Sequence, residues 1–202
     1  MAFAQPLRVA CVGNSITFGS GLRDRQSECY PNQLQMRLGS GYRVENFGVS
    51  GATVLSTGDV PYCRQVAYRA ALRYKPDLLI IKLGTNDSKA HNREKSSGQF
   101  IRDYKNIISS FRKANPGIRI MICLPVPVFG EAFGIRESVL KNEIRPAIEQ
   151  IAREEKADLI DLFTPLQAHS EWFPDKVHPD ASGAAKIAAV VFEAIKKLRI
   201  KD

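Results

Sequence analysis

A serine follows a short apolar segment near the start of the chain. Residues 9–12 are apolar and include β-branched side chains, which predicts a buried strand. Gly13 and Asn14 lead from that strand to Ser15. Open α/β sheets bind their ligands at the carboxyl ends of the strands, so Ser15 stands where a nucleophile could meet a substrate. The alternative is that Ser15 only caps the helix that follows, because serine is a common N-cap residue.

A serine hydroxyl becomes a good nucleophile only beside a base, and the chain has three histidines. His178 follows Asp175 by three residues in a loop flanked by prolines. In such a loop the carboxylate can lie beside the imidazole, orient it and stabilise its protonated form. The alternative is that the pair forms a capping network for the last helix. His91 falls in a polar loop and His169 in an irregular stretch.

Acyl transfer also needs donors for the negative charge that develops on the substrate oxygen. The candidates are the backbone N–H groups of Ser15 and Gly51 and the side-chain amide of Asn86. Gly51 and Asn86 each follow a predicted strand. The alternatives are a plain turn glycine at position 51 and an Asx-turn or a cap at position 86.

Predicted strands and helices alternate along the whole chain. Strands are predicted at residues 9–12, 42–47, 78–83, 118–124 and 159–162, and helices at 31–38, 61–74, 99–114, 137–154 and 182–198. Residues 18–28 are expected to form a loop, and Pro146 is expected to kink its helix. The alternation predicts an α/β fold, a three-layer α/β/α sandwich. We expect five parallel strands in flavodoxin-like order, in a single domain over residues 1–202.

The composition indicates a globular protein with a substantial core, because 44% of the 202 residues are hydrophobic and 25% are charged. The net charge is +8, but the basic residues are scattered and no nucleic-acid motif is present. No apolar run is long enough to span a bilayer. We therefore expect neither nucleic acid nor a membrane as a partner.

The cysteines and the start of the chain bear on the compartment. Cys11 and Cys123 fall in predicted central strands and are expected to be buried. Cys29 and Cys63 fall in loops, where we expect them to be bonded to each other or both exposed. No two cysteines have the CxxC spacing that is typical of a zinc site, so no metal site is expected. Residues 2–4, Ala-Phe-Ala, match the pattern before a signal cleavage site, so a secreted or periplasmic protein and a cytoplasmic one both stay open.

Four segments carry a resemblance to a known family: Gly13-Asn14-Ser15, residues 46–51, Gly84-Thr85-Asn86-Asp87, and residues 175–179. In this order they resemble the four sequence blocks of the SGNH (GDSL-type) hydrolases, over nearly the whole chain. The resemblance implies that Ser15 is the nucleophile, His178 the general base and Asp175 its partner. It implies that Gly51 and Asn86 join Ser15 in lining the oxyanion hole.

The sequence around these blocks is similar to the carbohydrate-esterase branch, which includes sialate O-acetylesterases and acetylxylan esterases. This implies a serine esterase that removes acetyl groups from a sugar such as sialic acid or xylan, with no metal and no cofactor. The candidate substrate-binding residues are Asn14, Asp87, Phe129 and Trp172. The family usually has Asp where this chain has Asn14, a change expected to alter local hydrogen bonding more than the chemistry.

Two other functions stay open: a lysophospholipase, thioesterase or arylesterase of the same fold, and a non-catalytic carbohydrate-binding relative. An acyl or aglycone wall could be formed by Val126, Val128, Phe129 and Phe133, although core packing suits the valines better. The carboxylate of a sialic acid could meet one of several basic residues that otherwise face solvent: Arg23, Arg25, Arg64 and Lys89.

Overall fold

The computed structural model describes residues 5–93 and 98–199. The Ala-Phe-Ala pattern at residues 2–4 lies outside these ranges, as do residues 94–97 of the polar connection before the third predicted helix.

The centre of the structure is a five-stranded parallel sheet. Its strands are β1 (Leu7–Gly13), β2 (Tyr42–Gly48), β3 (Leu78–Lys82), β4 (Arg119–Cys123) and β5 (Asp158–Ile160). They lie in the order β2-β1-β3-β4-β5, and all pairs are parallel. This is the predicted flavodoxin-like order. The chain changes direction across the sheet between β1 and β3, and loops from both sides meet there at the carboxyl ends of the strands.

Helices cover both faces of the sheet, which confirms the predicted three-layer sandwich. The α-helices are α1 (Ser15–Phe18), α2 (Arg25–Glu28), α3 (Tyr30–Leu38), α4 (Val66–Tyr74), α5 (Ala90–Arg93), α6 (Gln99–Ala114), α7 (Glu137–Val139), α8 (Arg145–Glu154) and α9 (Ala181–Arg199). The helices α4, α6 and α8 share one core with the sheet, and α3 and α9 share the other. None of the helices within the described ranges is long and apolar enough to cross a membrane.

The central strand and the helix α6 show why the sequence folds in this way. Every residue of β3 is buried, as expected of a strand covered on both faces. In α6 the buried side chains recur every three or four residues and form one apolar stripe: Phe100, Tyr104, Ile107, Ile108 and Phe111. The bounds of α6 are those predicted from this periodicity.

The loop expected over residues 18–28 and the helix expected over residues 137–154 differ in the structure from the prediction. The expected loop over residues 18–28 contains α2, because the Asp24 side chain accepts a hydrogen bond from the Gln26 N–H and caps it. The helix predicted over residues 137–154 is divided by a π-helical turn at Leu140–Ile144. Pro146, which has no N–H to donate, is the second residue of α8, which follows directly on this turn.

The prediction for the loop cysteines is wrong. All four cysteines are free, Cys29 is buried and Cys63 is half-buried. The Cys29 sulfur lies 3.5 Å from the amide nitrogen of Asn46 on β2, so its side chain points into the structure. Cys11 and Cys123 are fully buried in central strands, as predicted.

Candidate active site

A continuous chain of hydrogen bonds joins Ser15, His178 and Asp175. The Oγ of Ser15 lies 2.8 Å from Nε2 of His178. The Nδ1 of His178 lies 2.6 Å from Oδ2 of Asp175. Ser15 and His178, 163 positions apart in the sequence, are thus brought together with Asp175 in the arrangement that a nucleophile, a base and an orienting carboxylate require. With a proton on Nδ1 facing the carboxylate, Nε2 is free to accept the serine proton.

The turn after β1 places Ser15. A side chain at Gly13 would come within 2.0 Å of the Thr17 hydroxyl oxygen, so only glycine allows α1 to begin this close to the strand. The Asn14 side chain caps α1 by accepting from the Ile16 N–H at 3.2 Å. Ser15 is the first residue of α1, so its own N–H has no partner within the helix.

The loop before α9 holds the His178 side chain in position. The second carboxylate oxygen of Asp175 accepts from the backbone N–H groups of Val177 at 3.0 Å and His178 at 2.6 Å. Burial pushes the pKa of Asp175 upward, but these hydrogen bonds and the one from the His178 ring outweigh it, so the pKa lies below its ordinary value. Asp175 therefore stays ionised beside the imidazole. Asp180 caps α9 instead, since its side chain accepts from the Gly183 N–H at 2.9 Å.

The predicted oxyanion donors come from neighbouring loops. Gly51 has φ of 78°, a left-handed conformation that a side chain would strain. The Asn86 side-chain amide donates to the carbonyl oxygen of Ala52, the residue after Gly51, at 3.0 Å. The loop of Gly51 is joined to the region of Ser15 by the bond between the Ser20 and Ser50 hydroxyls at 2.7 Å. The amide nitrogen of Asn86 carries a second proton beyond the one in this bond.

Two of the four residues expected to bind substrate are fully buried. Asn14 is 0% exposed and caps α1. Asp87 is also 0% exposed, and its two oxygens accept from the N–H groups of Val54 at 3.1 Å and Leu55 at 2.9 Å. The expectation of substrate contact is therefore corrected for both, because neither presents surface to a ligand. The backbone uses both carboxylate oxygens of Asp87 and the side-chain oxygen of Asn14.

The other two expected substrate-binding residues are half-buried and packed on aromatic neighbours. The ring of Phe129 lies 5.1 Å from that of Phe173. Trp172 stacks on His169 at 3.8 Å between ring centroids. Val126 and Val128 are buried in the core, as their alternative interpretation predicted. Of the four residues suggested as a wall, only Phe133 is strongly exposed.

The four basic residues suggested for a carboxylate differ in their surroundings. The guanidinium of Arg25 stacks on Phe18, and Lys89 pairs with Asp59 at 3.6 Å. Arg64 is exposed on the surface. Arg23 lines a cavity of about 390 Å³ together with Gly21, whose added side chain would lie 3.7 Å from the Cβ of His178.

A polar cluster that the sequence analysis did not identify supports the loop of Asn86. The amide nitrogen of Asn92 donates to the carbonyl oxygen of Asn86 and to Asp59, both at 3.0 Å. His91 also bonds Asp59, at 3.0 Å. Because Asn92 lies in a polar connection without periodicity, no sequence signal marked it. Within the described ranges, no three His, Cys, Asp or Glu side chains are grouped so as to hold a metal ion.

The sequence is similar to that of known esterases. Residues 11–186 match the GDSL-like Lipase/Acylhydrolase family model. An acetylxylan esterase of Xylanibacter ruminicola is 39% identical over 208 residues, which cover 94% of this chain and 43% of the relative. The chain thus spans less than half the length of that curated relative.

The fold is similar to that of solved esterases. A carbohydrate acetylesterase from Sinorhizobium meliloti has a TM-score of 0.76 at 19% identity, covering 95% of this chain and 99% of that one. The aryl esterase of M. smegmatis has a TM-score of 0.75 at 18% identity, with coverages of 95% and 99%. At such identities the likeness shows the fold alone. The family match covers most of the chain, and the chain belongs to the GDSL-like lipase/acylhydrolase family.

Proposed function

We propose that this protein is a serine esterase that removes acetyl groups from an acetylated sugar. The observation that supports it most is the Ser15 Oγ to His178 Nε2 distance of 2.8 Å, with His178 Nδ1 2.6 Å from Asp175. The acetyl and sugar parts of the proposal are supported by the relatives, an acetylxylan esterase and a carbohydrate acetylesterase.

In the first half of the proposed reaction, Ser15 Oγ attacks the carbonyl carbon of the acetyl ester. His178 Nε2 takes the serine proton as the new C–O bond forms. Asp175 stays ionised and stabilises the imidazolium that results, because its pKa is held below the ordinary value. The tetrahedral intermediate then collapses, the bond to the sugar oxygen breaks, and His178 gives its proton to that oxygen.

The negative charge on the tetrahedral intermediate needs donors that are already in place. The N–H groups of Ser15 and Gly51 and the free amide proton of Asn86 would supply them. Asn14 and Asp87 act as positioning residues in this scheme: Asn14 begins α1 at Ser15, and Asp87 holds the backbone at Val54 and Leu55. In the second half, His178 takes a proton from a water that attacks the acetyl-serine. His178 returns that proton to Ser15 Oγ as the ester bond breaks and acetate leaves.

The test is the release of acetate from acetylated xylo-oligosaccharides and from O-acetylated sialic acid, beside p-nitrophenyl acetate and octanoate. We expect a higher kcat/KM on the acetate than on the octanoate, because Val126 and Val128 are buried in the core and do not line a channel for a long chain. A preference for octanoate would favour a lipid esterase. Sugar binding without hydrolysis of any ester would favour a non-catalytic binding protein.

The chain spans 43% of the length of the acetylxylan esterase to which it is similar. We expect a small acylated sugar as the substrate and one domain over residues 1–202.

A further inference from the structure

An exposed aromatic ring lies against the proposed catalytic base. Phe133 is 59% exposed, and its ring centroid lies 5.3 Å from that of His178 in an edge-to-face arrangement at 67°. A large apolar side chain at the surface needs no explanation by itself. The Phe133 ring contacts His178, which in turn bonds Ser15, so Phe133 lies beside the proposed catalytic residues.

The backbone holds Phe133 in a conformation that phenylalanine does not favour. The Ile135 N–H donates to the Ala132 carbonyl at 3.0 Å and closes a four-residue turn. Both central residues have positive φ, 54° at Phe133 and 72° at Gly134. Turns of this kind are dominated by glycine, asparagine and aspartate. A bulky residue kept in such a position is a feature of ligand-binding and active sites, where the surrounding structure enforces it.

The segment that follows the turn is anchored at the other side of the site. The backbone N–H of Arg136 donates to Ser88 Oγ at 3.2 Å, and its Nε donates to the Ser88 carbonyl at 2.8 Å. Ser88 belongs to the 3₁₀ turn that begins at Asn86. The side chain of Ile135 is buried in the core. The turn that carries Phe133 is therefore tied to the loop of Asn86, while its ring contacts His178.

The direction of proton transfer decides which part of the substrate lies near this ring. In the proposed reaction His178 returns its proton to the leaving sugar oxygen, so that oxygen must come within hydrogen-bond reach of Nε2. The sugar ring attached to it then lies on the His178 side of the scissile bond. The acetyl methyl group belongs to the part on the other side of the scissile bond.

We propose that Phe133 is a specificity-determining residue whose ring forms the wall for the sugar ring of the substrate. This inference rests on the proposed function and narrows it to acetylated pyranosides. A pyranose has a face of C–H groups that can pack on an aromatic ring, as other apolar groups do. The wall therefore contacts the alcohol part of the ester and not the acyl part.

The test compares two acetate esters that differ in the alcohol: peracetylated methyl xyloside, which has a sugar ring, and ethyl acetate, which has none. Phe133→Asn removes the aromatic ring and suits the positive φ, so the turn should fold. Phe133→Tyr keeps the ring. Met36→Ala is the matched control, because Met36 is 69% exposed on α3 and lies in no part of the proposed machinery.

We expect Phe133→Asn to lower the ratio of kcat/KM on the xyloside to that on ethyl acetate by about tenfold, mainly through KM. Phe133→Tyr and Met36→Ala should keep the native ratio within about twofold. Equal losses on both esters would show that the ring only positions His178 and would overturn the proposal, as would an unchanged ratio. Hydrolysis of neither ester by the native protein would contradict the proposed function itself.

Discussion

The side-chain amide of Asn86 donates a hydrogen bond to the carbonyl oxygen of Ala52 at 3.0 Å. This bond joins the loop after β3 to the loop after β2 directly beside Gly51. It also fixes the rotation of the amide, since turning it would leave a buried donor without its acceptor. In the proposed reaction the remaining amide proton would therefore need no reorientation to meet the developing oxyanion.

Asn86→Ala should lower kcat by about 10²-fold to 10³-fold, or ~3–4 kcal/mol, if this amide is an oxyanion donor. KM should change much less, because the bond strengthens mainly in the transition state. Steady-state kinetics of acetate release measure both. The control is Asn115→Ala, because Asn115 also donates its amide to a carbonyl, that of Pro76, but at the opposite end of the sheet. A kcat of Asn86→Ala within about threefold of the native value would exclude this amide as an oxyanion donor.

Asp87 should make the folded protein less stable as the pH rises through the weakly acidic range. Burial raises its pKa from 3.8 to about 6, against the opposing effect of its backbone hydrogen bonds. Between these two values the folded state binds more protons than the unfolded state, so the contribution of Asp87 to the free energy of unfolding falls as pH rises. The slope is at most about 1.4 kcal/mol per pH unit.

Urea unfolding of the native protein and of Asp87→Asn at pH 4, 5, 6 and 7 measures this contribution. The stability advantage of the native protein over the variant should shrink from the acid end to neutrality, because the variant lacks the titrating group. Parallel stability curves for the two proteins over this range would show that the pKa of Asp87 is not raised.

Chemical labelling of the folded protein should modify Cys63 and leave the other three cysteines unmodified. Cys11, Cys29 and Cys123 are buried. Burial raises the pKa of the Cys11 thiol well above its ordinary value and the pKa of the Cys123 thiol to about 12. Iodoacetamide should therefore add at most one group, on Cys63, to the folded protein, and four groups after unfolding without a reductant. Fewer than four groups on the unfolded, non-reduced chain would indicate a disulfide and contradict the structure.

The order of elements and the pairing of Asp175 with His178 could be predicted from the sequence for physical reasons, whereas the assignment of Ser15 to this pair came from the resemblance of four sequence blocks to a family. Strands covered on both faces are largely apolar, and residues 78–81 of β3 form a continuous, buried apolar run. An aspartate three residues before a histidine in a tight loop can reach the imidazole, and Asp175 bonds both the ring and the backbone N–H of His178. In both cases a short stretch of sequence determines the geometry.

The surroundings of three residues could not be predicted from the sequence, because they depend on contacts between segments far apart in the chain. These residues are Asp87, Lys82 and Cys29. Asp87 stands next to Asn86, yet it is buried and serves the backbone at Leu55, which is 32 residues away. Lys82 ends the apolar strand β3, and its Nζ is buried without a hydrogen-bond partner in the described part of the chain. Cys29 lies in a bend, but it packs against β2 and is buried. Loop position alone does not determine exposure.

The central claim is that Ser15 is the nucleophile, and covalent labelling tests it most directly. A fluorophosphonate should add a single phosphonyl group to the native protein, on the peptide that contains Ser15. Ser15→Ala should remove both the label and acetate release, with a loss of at least about 10⁴-fold, while the fold is kept.

Ser20→Ala is the matched control, because Ser20 lies just after α1 and bonds Ser50, not His178. Mass spectrometry of the three proteins after fluorophosphonate treatment, with peptide mapping, is the deciding measurement. The account predicts one label on Ser15 in the native protein and in Ser20→Ala, and none in Ser15→Ala. A label retained by Ser15→Ala, together with acetate release at the native rate, would contradict it.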